Sequence, residues 1–212
     1  MKGLNLITLY RNLNVDEKAN VITHGFGLLL TLLLSPFLLF TETKPIQFWG
    51  LCVFIFGMVF MFLSSTLYHL SNSDTRKIKW RLVDHISIFF LIGGTYTPFV
   101  LYYFNTKEGY AFLLLHWIII AFGIMFKFIF KTRFEIVSLA LYLILGWMVV
   151  FVFDEMSRNM PLKVEYWLIA GGLSYTIGVF FYVKTKIPWS HTIWHIFVLM
   201  GCAGHFVALF LS

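Results

Sequence analysis

Long apolar stretches separated by short polar segments are the main pattern of this chain of 212 residues. A helix needs about 20 apolar residues to cross the ~30 Å hydrocarbon core of a membrane. Because backbone groups must find their hydrogen bonds within lipid, such stretches are expected to be helices. The pattern predicts a single domain, residues 1–212, that is an all-α integral membrane protein with seven transmembrane helices. Their expected positions are about 19–40, 48–70, 82–104, 109–130, 134–153, 165–183 and 189–211.

The distribution of charge predicts how these helices are oriented. Hydrophobic residues make up 59% of the sequence and charged residues 12%, whereas a soluble domain has about a quarter charged residues. On alternate connections between the apolar runs, 12 of the lysines and arginines lie on one side and 4 on the other. Short connections rich in lysine and arginine stay in the cytoplasm. We therefore expect a cytoplasmic N-terminus and a C-terminus outside, and we expect no nucleic acid as partner.

Five polar residues fall at one depth in this arrangement. Ser65 and His69 lie at the end of the second run, and Asp84 lies near the start of the third. His191 and His195 lie in the first two turns of the seventh run. The orientation that was assigned from lysine and arginine alone puts all five near the cytoplasmic face. Ionisable residues inside a membrane are costly, and they usually mark a functional site.

The spacing of the histidines predicts a metal site. Residues four apart share one helix face, so His191 and His195 can reach the same ion. Three imidazoles with one open position form the ligand set of a catalytic zinc site. We therefore predict Zn²⁺ bound by His69, His191 and His195. Asp84 would accept a hydrogen bond from activated water, and Ser65 would assist it, which makes these two the predicted catalytic residues.

Each of these residues also has an ordinary structural interpretation. An isolated pair of histidines four residues apart is more often a packing feature than a metal site, and Asp84 also suits the start of a helix. Glu17 occupies the third position of a capping box that begins at Asn14. Asn20 and His24, again four apart, are either a pair beside the metal or residues that pack between helices.

The combination of motifs resembles the hemolysin III family, the bacterial branch of the progestin and adipoQ receptor group. The motifs are E-x-x-N-x-x-x-H at Glu17, Asn20 and His24, S-x-x-x-H at Ser65 and His69, the single Asp84, and H-x-x-x-H at His191 and His195. The resemblance runs from about residue 14 to the end of the chain. The wider superfamily includes alkaline ceramidases, which share the serine, the aspartate and the three histidines.

The resemblance implies seven helices in the bacterial plasma (inner) membrane, with zinc near the cytoplasmic leaflet and Glu17, Asn20 and His24 beside the ligand set. It also implies hydrolysis of an amide or ester bond in a membrane lipid, or a role in lipid homeostasis with that lipid as ligand. Two other functions stay open, which are a receptor or membrane-state sensor with structural zinc and a pore-forming cytolysin (hemolysin). The sequence also leaves the oligomeric state open.

Overall fold

The structure, a computed structural model, describes residues 6–40 and 42–212, with the backbone alone at Leu6. All regular structure in these ranges is helical, and they contain no strand. The α-helices are α1 (Leu6–Arg11), α2 (Val15–Phe40), α3 (Pro45–Leu70), α4 (Asp74–Tyr103), α5 (Lys107–Phe130), α6 (Glu135–Trp147), α7 (Phe153–Ser157), α8 (Leu162–Val183) and α9 (Ser190–Phe210), and a 3-10 helix (Met148–Phe151) follows α6.

Six of these helices, α2, α3, α4, α5, α8 and α9, are long and apolar enough to cross a membrane. They overlap six of the seven apolar runs of the sequence. Large apolar side chains cover their outer surfaces, such as Leu33, Phe122 and Phe128, which are 58%, 61% and 62% exposed. So much exposed apolar surface is suited to contact with lipid rather than with water. The protein is therefore an all-α membrane protein with several apolar spans.

The fifth apolar run, expected as one helix at 134–153, is broken. Its α-helix, α6, has 13 residues and passes into a 3-10 helix of 4 residues, which together extend over roughly 27 Å. The Tyr96 hydroxyl of α4 lies at the break, where it donates to the Gly146 carbonyl and accepts from the Val149 N–H, each at 2.7 Å. A side chain inserted in this way interrupts the helical hydrogen bonds. The count of seven spans and the orientation of the termini stay predictions.

The segment from α6 to α7 nevertheless passes from one end of the helix bundle to the other. The Tyr142 hydroxyl of α6 donates to the His85 carbonyl, near the start of α4, at 2.6 Å. Met156 of α7 belongs to the same buried cluster as Leu38 and Tyr103, which lie near the ends of α2 and α4. Helices α2, α4 and α6 therefore begin at one end of the bundle, and α8 begins at the other.

Helix α4 begins at Asp74 rather than at residue 82, so most of the connection expected between the second and third runs is helical. The added turns are polar, and apolar periodicity does not detect a helix where it leaves hydrocarbon. Asp74 lies in the first turn, where a negative charge interacts favourably with the helix dipole. Two basic side chains of these turns, Lys77 and Arg81, form ion pairs with carboxylates of other helices.

Glycines allow two pairs of neighbouring helices to approach closely. A Cβ atom at Gly57 of α3 would lie 2.7 Å from the Phe90 carbonyl oxygen of α4. A Cβ atom at Gly204 of α9 would lie 3.1 Å from the Cα atom of Gly171 in α8. Small residues commonly permit such contacts between membrane helices. The bundle thus contains two closely packed helical hairpins, α3–α4 and α8–α9.

Candidate metal centre

Three histidines from two helices meet at the end of the bundle where α2 and α4 begin. His69 lies in the last turn of α3, and His191 and His195 lie in the first two turns of α9. The ring centroids are 5.1 Å apart for His69 and His191, and 4.9 Å apart for His69 and His195. One ligand nitrogen of each ring lies within 4.8 Å of the other two. The three rings are close enough to hold one metal ion.

The two ring nitrogens of His69 have different surroundings. Nδ1 lies 2.6 Å from Oε2 of Glu17, so it carries the hydrogen and donates it to the carboxylate. Nε2 is buried and has no hydrogen-bond partner among the residues that the structure describes. An imidazole in this form has its lone pair on Nε2, and a carboxylate behind the ring is the usual arrangement of a metal-binding histidine. The residues present therefore fit zinc, which takes three imidazoles and keeps a fourth position open.

Polar side chains of α2 and α9 also lie beside His69 and His195. Thr23 Oγ1 lies 3.2 Å from Nδ1 of His195. Asn20 Nδ2 lies 3.5 Å from Nδ1 of His69, and Asn20 Oδ1 accepts a hydrogen bond of 2.7 Å from the Thr192 hydroxyl. Asn20 is 4% exposed, so these contacts lie inside the bundle. Helix α2 thereby links the histidine of α3 to those of α9.

Glu17 combines a structural contact with a contact at the metal centre. Its backbone N–H donates to Asn14 Oδ1 at 2.8 Å, so Asn14 caps the start of α2. Its side chain does not return to Asn14 as it would in a capping box. Instead it binds His69 and forms an ion pair with Lys77. Lys77 therefore holds the carboxylate that orients His69.

Ser65, His24 and Asp84 form a second group beside the histidines. Ser65 Oγ lies 2.7 Å from Nδ1 of His24, and Ser65 lies near the Asp84 carboxylate. The His24 ring stacks on His195 with the ring centroids 3.5 Å apart. Ser65 and His24 are buried, whereas Asp84 is partly exposed. Asp84 is not part of the three-histidine cluster.

The contacts of Lys77, Thr23 and Thr192 were not predicted from the sequence. The ion pair of Lys77 joins positions 60 residues apart, and the basic run around it was interpreted only as a sign of membrane orientation. For Thr23 a usable signal was present, because it lies three residues after Asn20 and so shares its side of the helix. Thr192 follows His191 directly but points to α2 rather than to the other histidines.

A cavity of about 240 Å³ lies beside His191 at this end of the bundle. The start of α2, with Asp16 and Asn20, and the segment before α9, with Lys186 and Trp189, form its walls. Trp189 adopts a left-handed backbone conformation, with φ 61° and ψ 16°, as the chain turns into α9. The lining is largely polar, so water or a polar group of a substrate can approach His191 from this side.

Comparison with known proteins finds relatives that cover most of this chain. The family model described as haemolysin-III related matches residues 13–206, which include every residue of the candidate metal centre. The hemolysin-3 homolog of Bacillus subtilis (strain 168) is 37% identical over 194 residues, which cover 90% of this chain and 91% of that protein. Hemolysin-3 of Bacillus cereus is 34% identical and covers 90% of this chain and 89% of its own. Monocyte to macrophage differentiation factor of Homo sapiens is 27% identical, over 94% of this chain and 85% of its own.

Proposed function

The chain belongs to the haemolysin-III-related family, as its motifs predicted, and on this basis we propose that it is a zinc-dependent hydrolase of a membrane lipid. The bond that it cleaves is an amide or an ester. One observation carries the proposal: Glu17 holds Nδ1 of His69, while the buried Nε2 has no partner within the described residues. This is the arrangement of a histidine prepared to bind a cation.

We place the protein in the bacterial plasma (inner) membrane with seven spans, a cytoplasmic N-terminus and a C-terminus outside. The excess of lysine and arginine on the connections at the metal-centre end supports this orientation. The passage of α6 and α7 along the bundle supports a seventh crossing, and the Bacillus relatives support a bacterial membrane. In this orientation the cavity beside His191 opens to the cytoplasm.

His69, His191 and His195 would hold the zinc ion and leave one coordination position open. When bound, zinc supplies a Lewis acid that activates water and polarises a carbonyl group. His69 and His195 are each 2% exposed, so solvent does not compete for these rings. Glu17 keeps the His69 ring in one orientation, and Lys77 keeps Glu17 in place.

Asp84 and Ser65 carry the proton chemistry in this proposal. We assign to Asp84 the role of general base, which takes a proton from the attacking water and returns it to the leaving amine or alcohol. Ser65, whose Oγ lies 2.7 Å from Nδ1 of His24, would fix the direction of the Asp84 carboxylate. Because Asp84 is not one of the three histidine ligands, its carboxylate stays free for this exchange.

The surroundings of the site favour a lipid as substrate. The histidines lie at the ends of membrane-crossing helices, and apolar side chains such as Ile22 and Phe26 of α2 are 58% and 50% exposed nearby. The acyl chain of a lipid can lie against this surface, while its polar group enters the cavity beside His191. A membrane lipid is thus the substrate class that reaches the site without leaving the bilayer.

The variant Asp84→Asn tests the proposal. It should bind as much zinc as the wild type, since Asp84 is not a ligand, but it should lose lipid turnover by about a hundredfold or more. Elemental analysis of purified protein measures the first effect, and mass spectrometry of lipids incubated with that protein measures the second. Glu108→Gln is the matched control, because Glu108 is exposed at the other end of the bundle.

Two results would contradict the assignment in different ways. Full turnover by purified Asp84→Asn protein would remove Asp84 from the mechanism. A zinc-loaded wild type that turns over no lipid would overturn the hydrolase and would favour a receptor or membrane-state sensor with structural zinc.

A pore-forming cytolysin is the second candidate, and the name of the Bacillus cereus relative, hemolysin-3, favours it. A pore needs polar groups through the full depth of the membrane. In the half of the bundle away from the metal centre, Thr95, Thr97 and His205 are buried polar residues. Release of a dye from lipid vesicles by the purified wild type, reduced in Thr97→Val, would support the pore, and intact vesicles would exclude it.

A further inference from the structure

A second cavity lies at the end of the bundle opposite to the metal centre. It has a volume of about 380 Å³ and is enclosed by the last turns of α2, α4 and α9, the start of α3 and the segment before α8. Leu51 and Leu209, which are 1% and 3% exposed, form part of its lining. Polar residues, among them Glu42 and Lys44, form its mouth. Polar side chains predominate in this lining, so it suits the polar headgroup of an amphipathic ligand.

Gln47 lines this cavity with a hydrogen-bond acceptor that is unused. The residue is 6% exposed, and its Oε1 has no hydrogen-bond partner within ranges 6–40 and 42–212. The hydroxyl of Tyr103, in the same lining, also lacks a hydrogen bond there. Buried acceptors are nearly always satisfied in native proteins. The cavity is therefore suited to a ligand that donates hydrogen bonds.

Glu42 adds a fixed negative charge at the mouth. Its carboxylate accepts hydrogen bonds from the Tyr102 hydroxyl and, at 2.7 Å, from the backbone N–H of Lys44. Neither Glu42 nor the Lys44 ammonium group forms an ion pair with any residue that the structure describes. The mouth thus presents an oriented carboxylate and a free cation close together in the chain, and neither is neutralised.

We propose that this second cavity binds a phosphoethanolamine headgroup, in which a primary ammonium group and a phosphate are two carbons apart. The ammonium group donates to Glu42 and to Oε1 of Gln47, and the phosphate faces Lys44. A quaternary ammonium group has no N–H and leaves Gln47 unsatisfied, so the site discriminates between the two. Phe210, which is 57% exposed at the cavity, gives acyl chains an apolar surface at its edge. This binding is independent of the proposed hydrolase.

Lipid retention tests the proposal. The purified full chain is exchanged into mixed micelles with equal amounts of phosphatidylethanolamine and phosphatidylcholine of identical acyl chains, and native mass spectrometry counts the lipid that stays bound. We expect phosphatidylethanolamine to be retained about tenfold or more over phosphatidylcholine. Glu42→Gln and Gln47→Leu should each reduce this preference about tenfold, as expected for a lost charge-assisted hydrogen bond. Lys44→Ala should weaken retention of both lipids, whereas the control Glu108→Gln should change neither.

The source of the headgroup is decided by a second titration, with soluble glycerophosphoethanolamine in place of lipid. Binding of the soluble compound would identify free headgroups as ligands too, and binding of the lipid alone would identify the bilayer as the source. Equal retention of the two lipids by the wild type would overturn the proposal and leave water as the occupant. A loss of preference in Asp84→Asn would also overturn it, because the lipid would then be bound at the metal centre.

Discussion

The contact between Glu17 and His69 allows a quantitative prediction about metal affinity. In Glu17→Gln the side chain keeps its size but loses its charge, so both the 2.6 Å hydrogen bond from Nδ1 of His69 and the ion pair with Lys77 are weakened. The Glu17 side chain is only 19% exposed, so solvent screens these contacts weakly. A hydrogen bond to a charged group contributes about 1.5–3 kcal/mol. Since ~1.4 kcal/mol corresponds to a factor of ten, zinc should bind about 10–100-fold more weakly.

A chelator competition titration measures this change directly. Purified wild type and variant in detergent are titrated with zinc in the presence of a chromogenic chelator, and the dissociation constants are compared. Glu108→Gln removes the same charge from an exposed position at the other end of the bundle, and it should leave the affinity unchanged. An affinity of Glu17→Gln within twofold of the wild type would refute the reasoning, because His69 would then be oriented without Glu17.

Three further predictions follow from contacts described above. Lys77→Ala should weaken zinc binding several-fold in the same titration, with Lys77→Arg close to wild type, because an arginine can keep the ion pair. Gly57→Ala should destabilise the protein by about 1–3 kcal/mol in thermal unfolding, because the added Cβ meets the backbone of α4 at 2.7 Å. Gly172→Ala should not, because the Cβ added there meets no atom within 4 Å beyond the adjoining backbone of its own helix. Tyr96→Phe should speed hydrogen exchange at the junction of α6 and the 3-10 helix, since both backbone contacts of its hydroxyl are lost; unchanged exchange would assign the break to the local sequence.

Features that depend on one helix alone were predicted most directly from the sequence. The membrane requires long apolar helices, so six of the seven expected runs correspond to helices long enough to cross it. His191 and His195 lie in one helix, and their spacing alone put them on a common face. The prediction that His69 lies at the same end as these two histidines depended on the orientation of the helices in the membrane, which the positions of lysine and arginine indicated.

Features that depend on contacts between helices could not be predicted in this way. The Glu17 side chain meets a histidine 52 residues away; the family resemblance placed Glu17 beside the ligand set, but nothing in its own helix distinguishes this contact from a capping box. Lys127 is one of the 12 lysines and arginines that were counted on the cytoplasmic side, yet it is fully buried in α5 with its Nζ 3.1 Å from Nδ1 of His85. The break after α6 depends on Tyr96, a residue of another helix. Periodicity reports which face of a helix is apolar, but it does not identify the partner of a polar side chain.

The arrangement of the two glycine-packed hairpins indicates which part of the structure would change if the metal were lost. His69 belongs to the α3–α4 hairpin, and the other two ligands belong to α8–α9, so an ion held by all three would act as a brace between two rigid units. Removal of the ion would leave each hairpin intact and would weaken the contact between the two hairpins. The cavity beside His191 should then widen, while the opposite end of the bundle keeps its shape.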